Sequence, residues 1–254
     1  MPLQKLDLAL FAKQTRDAVP SGVLRARRAE TQYASNLRRI ARTVGEIVNG
    51  IGANSPEAIT EALTRYSQAI GPWASAVARR MLKDVASREY AWWRERSAAM
   101  SRALRSEILN APTGRVMQQR LDEQVDLITS LPRDAGQRVH KLAMEGRVTG
   151  RRAEDIAKEI MASGEVTESR AKLIARTEVS RTATELTRAR MLHIGAETYI
   201  WRTAGDTDVR PGHKRLNGTV QRWDSPPECD PGYKAHPGGI FNCRCIPVPI
   251  LPED

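Results

Sequence analysis

Residues 167–203 read TESRAKLIARTEVSRTATELTRARMLHIGAETYIWRT, and a change of pattern inside this stretch decides the fold. From Thr167 to His193 there is no Gly or Pro. Thr167-Glu168-Ser169 offers an N-terminal cap and Gly195 a C-terminal stop, so one long helix is expected between them. Ala171, Ala175, Val179, Thr182, Leu186 and Ala189 recur every three or four residues as one buried stripe of small side chains, which lets a partner helix approach closely. Glu178, Arg181, Glu185 and Arg188 lie on another face at spacings that suit ion pairs. Beyond Gly195 the helical period gives way to TYIWRT, a β-branched and aromatic run that reads as a strand.

Downstream, eight of the fourteen prolines and six of the seventeen glycines fall after residue 200, so the chain there is short strands and turns. Strands are expected at residues 219–223 and 245–251, and Pro247 and Pro249 confine the last to a sheet edge. Gly205-Asp206-Thr207-Asp208 reads as an Asx-type turn and Asn217-Gly218 as a hairpin turn.

Upstream, the pattern is helical. Residues 1–22, with Pro20-Ser21-Gly22 at their end, read as an irregular N-terminal arm. Helices are expected over 23–48, 55–70 (Ser55 cap, Pro56 in the first turn), 73–109, 115–130, 133–145 and 151–162, with breaks at Gly71-Pro72 and Leu131-Pro132. Short polar breaks between amphipathic helices predict an antiparallel bundle. The expectation is an α+β chain: an arm (1–22), a helical region (23–124) and a C-terminal domain (125–254) whose small, loop-rich α+β module begins at 196.

The formal net charge is +10 and the pI about 9.9. Residues 201–254 carry seven basic and seven acidic side chains, so the whole excess lies upstream. Such a field favours an anionic partner. Arg25, Arg27, Arg28, Arg38 and Arg39 form an early cluster suited to phosphate or an acidic protein surface, and Arg151-Arg152 opens a later helix. The alternative is a set of solvated helix faces with nearby acidic partners. Aromatic interleaving of the kind that stacks single strands is missing. No apolar run reaches the roughly 20 residues of a membrane span, and the N-terminus lacks a secretory h-region. A soluble, cytoplasmically made protein is expected.

The densest chemistry lies between Asp206 and Cys245, with two of the four histidines and all three cysteines. Three cysteines in a cytoplasmic product argue against a disulfide framework. The favoured ligands for a structural zinc are His213, His236, Cys243 and Cys245, because metal binding would hold a loop-rich segment together. Cys229 is a weaker candidate. On the other reading, Cys243 and Cys245 are small buried residues on one strand face, and the histidines satisfy turn backbone. Asp206, Asp208, Arg210 and His213 also form an acidic-His-Arg set of the sort used in metal-assisted phosphate chemistry. No phosphate-binding loop, serine-nucleophile elbow or zinc-protease helix motif accompanies them.

The order of Ala175-Arg176-Thr177-Glu178, Trp201-Arg202-Thr203-Ala204-Gly205-Asp206, Val209-Arg210, His213, Leu216, Gly218, Asp224-x-Pro226, His236-Pro237 and Asn242-Cys243-Arg244-Cys245 resembles the phage Mu protein F-like head-morphogenesis family. The likeness spans about residues 125–250. It implies a minor head protein of a tailed phage, in few copies near the portal vertex and in the host cytoplasm during assembly. Portal, major capsid or scaffold protein would be its partners, with some contact to packaged DNA, no membrane, and oligomerisation only within the virion. It implies a structural role for Arg176, Glu178, Asp206, Arg210 and Gly218, and no catalytic residue. The family domain also occurs fused to toxin domains. Nothing in residues 1–125 looks like such a toxin; the alternative from another class, a DNA-processing or ADP-ribosylating enzyme, would use Asp206, Asp208, Arg210 and His213.

Overall fold

The computed structural model describes residues 8–149 and 151–251, with side chains from Arg27 onward except that of Arg147. The arm's residues 1–7 and the side chain of Arg25 lie outside the described residues. The chain is mainly helical, with two small antiparallel sheets near its C-terminus. It forms two compact units, neither of them continuous in sequence. One comprises Met1–Glu30, Leu82–Arg120 and Arg176–Asp254, the other Thr31–Met81 and Leu121–Ala175.

The second unit is all helix. It contains most of α1 (Leu8–Ile51), α2 (Pro56–Ala69), the start of α3 (Gly71–Arg96), most of α5 (Gly114–Thr149), α6 (Ala153–Met161) and the start of α7 (Ser163–His193). Tyr33, Leu37, Ile40, Val44 and Val48 are buried at helical spacing along α1. They share the interior with Ile59, Leu63, Ile128, Leu131 and Val139. Polar ties pin the helices: Tyr33 Oη donates to Gln124 Oε1 at 2.9 Å, and Ser67 Oγ to the Thr129 carbonyl at 2.7 Å. Gly45 of α1 and Gly164 of α7 touch backbone to backbone, and a Cβ on Gly164 would lie 3.0 Å from the Gly45 Cα.

Several boundaries differ from expectation. Helix α1 starts at Leu8, so Pro20-Ser21-Gly22 does not delay it to residue 23. Gly71-Pro72 opens α3 instead of stopping a helix, consistent with proline's tolerance in a first turn. The expected 73–109 helix breaks at a 3-10 turn, Ser97–Ala99, and restarts as α4 (Arg102–Asn110), where Ser101 Oγ accepts from the Leu104 amide. Conversely, α5 runs through Pro132, which is buried. An interior proline costs about 3 kcal/mol, and the buried neighbours Ile128, Leu131 and Ala135 offset it here. Helix α7 begins four residues before its expected cap, and Thr167 Oγ1 bonds the Ser163 carbonyl inside it.

The first unit carries α4, the later half of α7 and everything after it: β1 (Thr198–Arg202), α8 (Pro211–Leu216), β2 (Val220–Arg222), β3 (Glu228–Asp230), β4 (Tyr233–Lys234) and β5 (Ile246–Ile250). The order β2-β1-β5 leaves β5 on an edge, with Pro247 opposite Trp201 and Pro249 opposite Tyr199, where missing N–H donors cost nothing. Asn217-Gly218 is not a two-residue hairpin. It ends α8, with Gly218 at φ +82°, and delivers the chain to β2.

The core of this unit gathers Trp93, Ile108, Met191, Tyr199, Trp201 and Trp223. The loop-rich segment therefore has an aromatic core, although aromatic residues make up only 5% of the chain. Aromatic side chains bury on the order of 200 Å² each. At about 25 cal/mol per Å², Tyr199, Trp201 and Trp223 contribute roughly 15 kcal/mol before entropy. That is comparable to the whole contribution of a structural zinc, so the module has a core of its own.

Candidate functional site: a docked His/Cys/Cys loop

The site is built on α7. Along its inner face Thr177 Oγ1 accepts from the Asn242 amide at 3.3 Å, and Arg181 donates to the Gly239 carbonyl at 3.2 and 2.7 Å. Thr184 Oγ1 donates to the Pro237 carbonyl at 2.7 Å. These three positions, spaced four and three apart, clamp the loop 236–245 to the helix. Within the loop the Gly239 amide bonds the His236 carbonyl and the Cys243 amide the Ile240 carbonyl, giving two successive turns. Gly238 sits at φ +78°, and a Cβ there would lie 3.1 Å from the Ser180 carbonyl oxygen. Asn242 adopts φ +56°, which asparagine tolerates better than most residues.

Glu178 holds the clamp in place. It is 3% exposed, bonds buried Arg120, and receives Arg181 Nη1 at 3.2 Å. The sequence spacing suggested the Glu178–Arg181 and Glu185–Arg188 pairs, and both form. It offered no sign of Arg120, 58 residues upstream. A second buried pair also escaped it: Glu89 accepts from Arg190 Nε at 3.0 and 2.9 Å, and Arg190 Nη1 donates to the Ile108 carbonyl at 2.7 Å. Glu89 occupies the apolar stripe of α3 between Val85 and Trp93, and Tyr90 lies off it, exposed.

The clamped loop delivers Cys243 and Cys245 to His213, the third residue of α8. All three are buried, and one donor atom from each lies within 4.8 Å of the others. His213 Nδ1 is 3.3 Å from Cys245 Sγ and 3.5 Å from Cys243 Sγ. The Gly238 amide donates to Cys243 Sγ at 3.3 Å. A hydrogen bond from Cys245, reinforced by His213, holds the Cys243 thiol below its ordinary value, and Cys245 is pushed up correspondingly. Trp201 meets the His213 ring edge-on at 5.4 Å.

His236 is not brought into this group. Its Nδ1 is 2.9 Å from Tyr199 Oη, between the rings of Tyr199 and Trp223. Burial keeps the Tyr199 phenol protonated, so it donates to His236. Burial, with the charge of Arg188, pushes His236 down to about 4. Its lone pair is already used, which corrects the expectation of a fourth ligand. Cys229 is likewise separate: its Sγ lies 3.6 Å from the Tyr233 carbonyl, and burial pushes its thiol up.

A polar cavity of about 250 Å³ opens beside the three donors, lined by Arg176, Asp206, Asp208, Arg210 and Arg244 among others. Its acidic groups are engaged by arginines. Arg244 Nη2 is 2.7 Å from Asp206 Oδ2 and 3.4 Å from Asp208 Oδ2. Arg210 donates to Asp230 Oδ2 at 2.9 Å and to the Phe241 carbonyl at 2.7 Å, and Arg176 pairs with Glu30 at 3.1 Å. Asp230 had no sequence signal, yet its Oδ2 lies 3.8 Å from His213 Nε2. Gly212 packs against the Cys229 carbonyl so tightly that a Cβ would sit 2.0 Å from its oxygen. Of the basic candidates, Arg27, Arg28, Arg38 and Arg39 are exposed on α1.

Residues 137–248 match the family described as Phage Mu protein F like protein. This segment is thus similar to that family. It holds the clamp, the loop, the three donors and the small sheet, all but the end of β5. An uncharacterized protein of Haemophilus influenzae (strain Rd) is 34% identical over 127 residues, which make up 50% of this chain and 28% of that protein. The chain thus spans little more than a quarter of that relative. No solved structure matches the chain.

Proposed function

We propose that this chain is a minor head protein of a tailed phage, acting in head morphogenesis at the portal vertex. The match of residues 137–248 to the Mu F-like family carries the reading. The geometry agrees with a structural role, since the motif residues Arg176, Glu178, Asp206 and Arg210 make ion pairs within the fold. Among the described residues no helix is long and apolar enough to cross a membrane. The Mu F-like segment is then the part whose fold the family shares. The upstream helices, with Arg38, Arg39 and Arg42 exposed within two turns of α1, meet the portal, coat or scaffold protein and packaged DNA. DNA contact of this kind is sequence-independent and salt-sensitive.

The test is incorporation. Procapsids and mature heads of the encoding phage should contain the protein in a few copies per particle by quantitative mass spectrometry, and a phage lacking it should assemble defective heads. Normal heads formed without it would overturn the proposal. The enzyme alternative is less favoured, because one oxygen of each carboxylate it would use is engaged by Arg244. Asp206 and Asp208 face Arg244, and Arg210 faces Asp230.

A further inference from the structure

We infer that His213, Cys243 and Cys245 bind one divalent, thiophilic metal ion of the zinc class, with its fourth coordination position turned to the polar cavity beside Asp206. The inference does not depend on the head-protein reading. Tetrahedral zinc with Zn–S near 2.3 Å and Zn–N near 2.05 Å requires S···N edges of about 3.6 Å. His213 Nδ1 lies 3.3 and 3.5 Å from the two sulfurs, so both nitrogen–sulfur edges are already close to those of a tetrahedral face, and all three donors lie within 4.8 Å of one another. Hydrogen bonding accounts for only part of this, because one imidazole nitrogen has a single lone pair and two sulfurs converge on it.

The surroundings fit a metal-bound imidazole. With Nδ1 on the ion, the ring proton resides on Nε2. That atom is buried without a hydrogen-bond partner and faces the Asp230 carboxylate at 3.8 Å. A carboxylate behind a ligating histidine is the usual outer support of such sites, and Arg210 fixes Asp230 from the far side. The Gly238 N–H aimed at Cys243 Sγ supports a thiolate. Asp206 Oδ1 is buried with no partner, and Asp206 lines the same cavity. A water in the fourth position, hydrogen-bonded to that oxygen, completes the tetrahedron. Three protein donors and one exchangeable position make this an open site, unlike a closed four-ligand structural zinc.

The experiment uses the full chain. Protein purified without chelators is exposed to Zn²⁺, dialysed and analysed for bound metal, then reloaded with Co²⁺ and its absorption recorded. One metal per chain and a thiolate-to-cobalt charge-transfer band are expected. Cys243→Ser and Cys245→Ser should lose both, and Asp230→Asn should weaken metal affinity about 10- to 100-fold. His236→Gln and Cys229→Ser should keep full stoichiometry. Because a cysteine variant can fail to fold, a second readout uses the unaltered protein: zinc should protect Cys243 and Cys245 from alkylation, mapped by peptide mass spectrometry, and a chelator should restore it. Folded protein that retains no zinc, or alkylation indifferent to zinc, overturns the inference.

Discussion

Replacing Glu178 with Gln tests the clamp directly. The substitution keeps the side chain's shape but removes the carboxylate that both Arg120 and Arg181 address. Arg120 is 5% exposed, so its charge stays in a poorly solvated place. Removing one partner of a buried ion pair costs about 3–5 kcal/mol. With a urea slope of about 2–3 kcal/mol per M, the unfolding midpoint should fall by roughly 1–2 M. The loss should also be felt locally, because Arg181 loses the group that orients it toward the Gly239 carbonyl. Hydrogen exchange at the Gly239 and Cys243 amides should therefore accelerate more than exchange along β1. The double replacement Arg120→Met/Glu178→Met should recover much of the stability, since it buries no unpaired charge. A Glu178→Gln protein within about 1 kcal/mol of the unaltered one, with unchanged exchange in the loop, would refute the clamp.

Three further outcomes are expected. His236 stays neutral in the folded state to about pH 4, whereas the unfolded chain protonates it near 6.5. The unfolded state then binds more protons between these values, so stability is full above pH 6.5 and drops as pH falls toward 4, by up to about 1.4 kcal/mol per unit. Urea titrations at several pH values should show this slope, and His236→Gln should remove it. Gly212→Ala drives a methyl group into the Cys229 carbonyl. Overpacking of this kind costs about 1–3 kcal/mol or more, and a thermal scan should show the loss together with displaced chemical shifts at His213. If α1 meets DNA, Arg38→Ala/Arg39→Ala/Arg42→Ala should reduce the slope of log affinity against log salt by up to about 2.7, at about 0.9 per phosphate contact. An unchanged slope assigns the charge elsewhere.

Much of the local architecture was legible before the structure. Helix α2, with Ser55 before it and Pro56 in its first turn, falls where the sequence put it, although Ser55 makes no side-chain cap bond. Gly195 ends α7 at φ +76°, and β1, β2 and β5 lie inside the expected strands. The failures have local and non-local causes. Pro132 is a strong breaker only while nothing else fixes the backbone, and buried Ile128, Leu131 and Ala135 do so here, whereas Gly71-Pro72 opens α3, where a first-turn proline is tolerated. Thr177 and Thr184 look like weak helix formers in isolation, and their value appears only when the loop 236–245 supplies the other half of each hydrogen bond.

For the site, composition pointed to His213, His236, Cys243 and Cys245, because thiols and imidazoles are few in this chain and these stood within 33 residues of one another. Sequence could not choose between His213 and His236. Both are histidines in a Gly- and Pro-rich segment, and only the aromatic box of Tyr199 and Trp223 removes His236 from the cluster. Nor could it find Asp230, Arg120 or the Glu89–Arg190 pair, whose partners lie between 17 and 101 residues away. The sequence by itself determined the helical period, the switch to short strands after Gly195 and the donor chemistry near the C-terminus, since those follow from side-chain type and near-neighbour spacing. The tertiary structure decided which charges are buried together, which breakers are overruled and which histidine faces the sulfurs. Those outcomes depend on contacts between segments distant in the chain, and no local pattern encodes them.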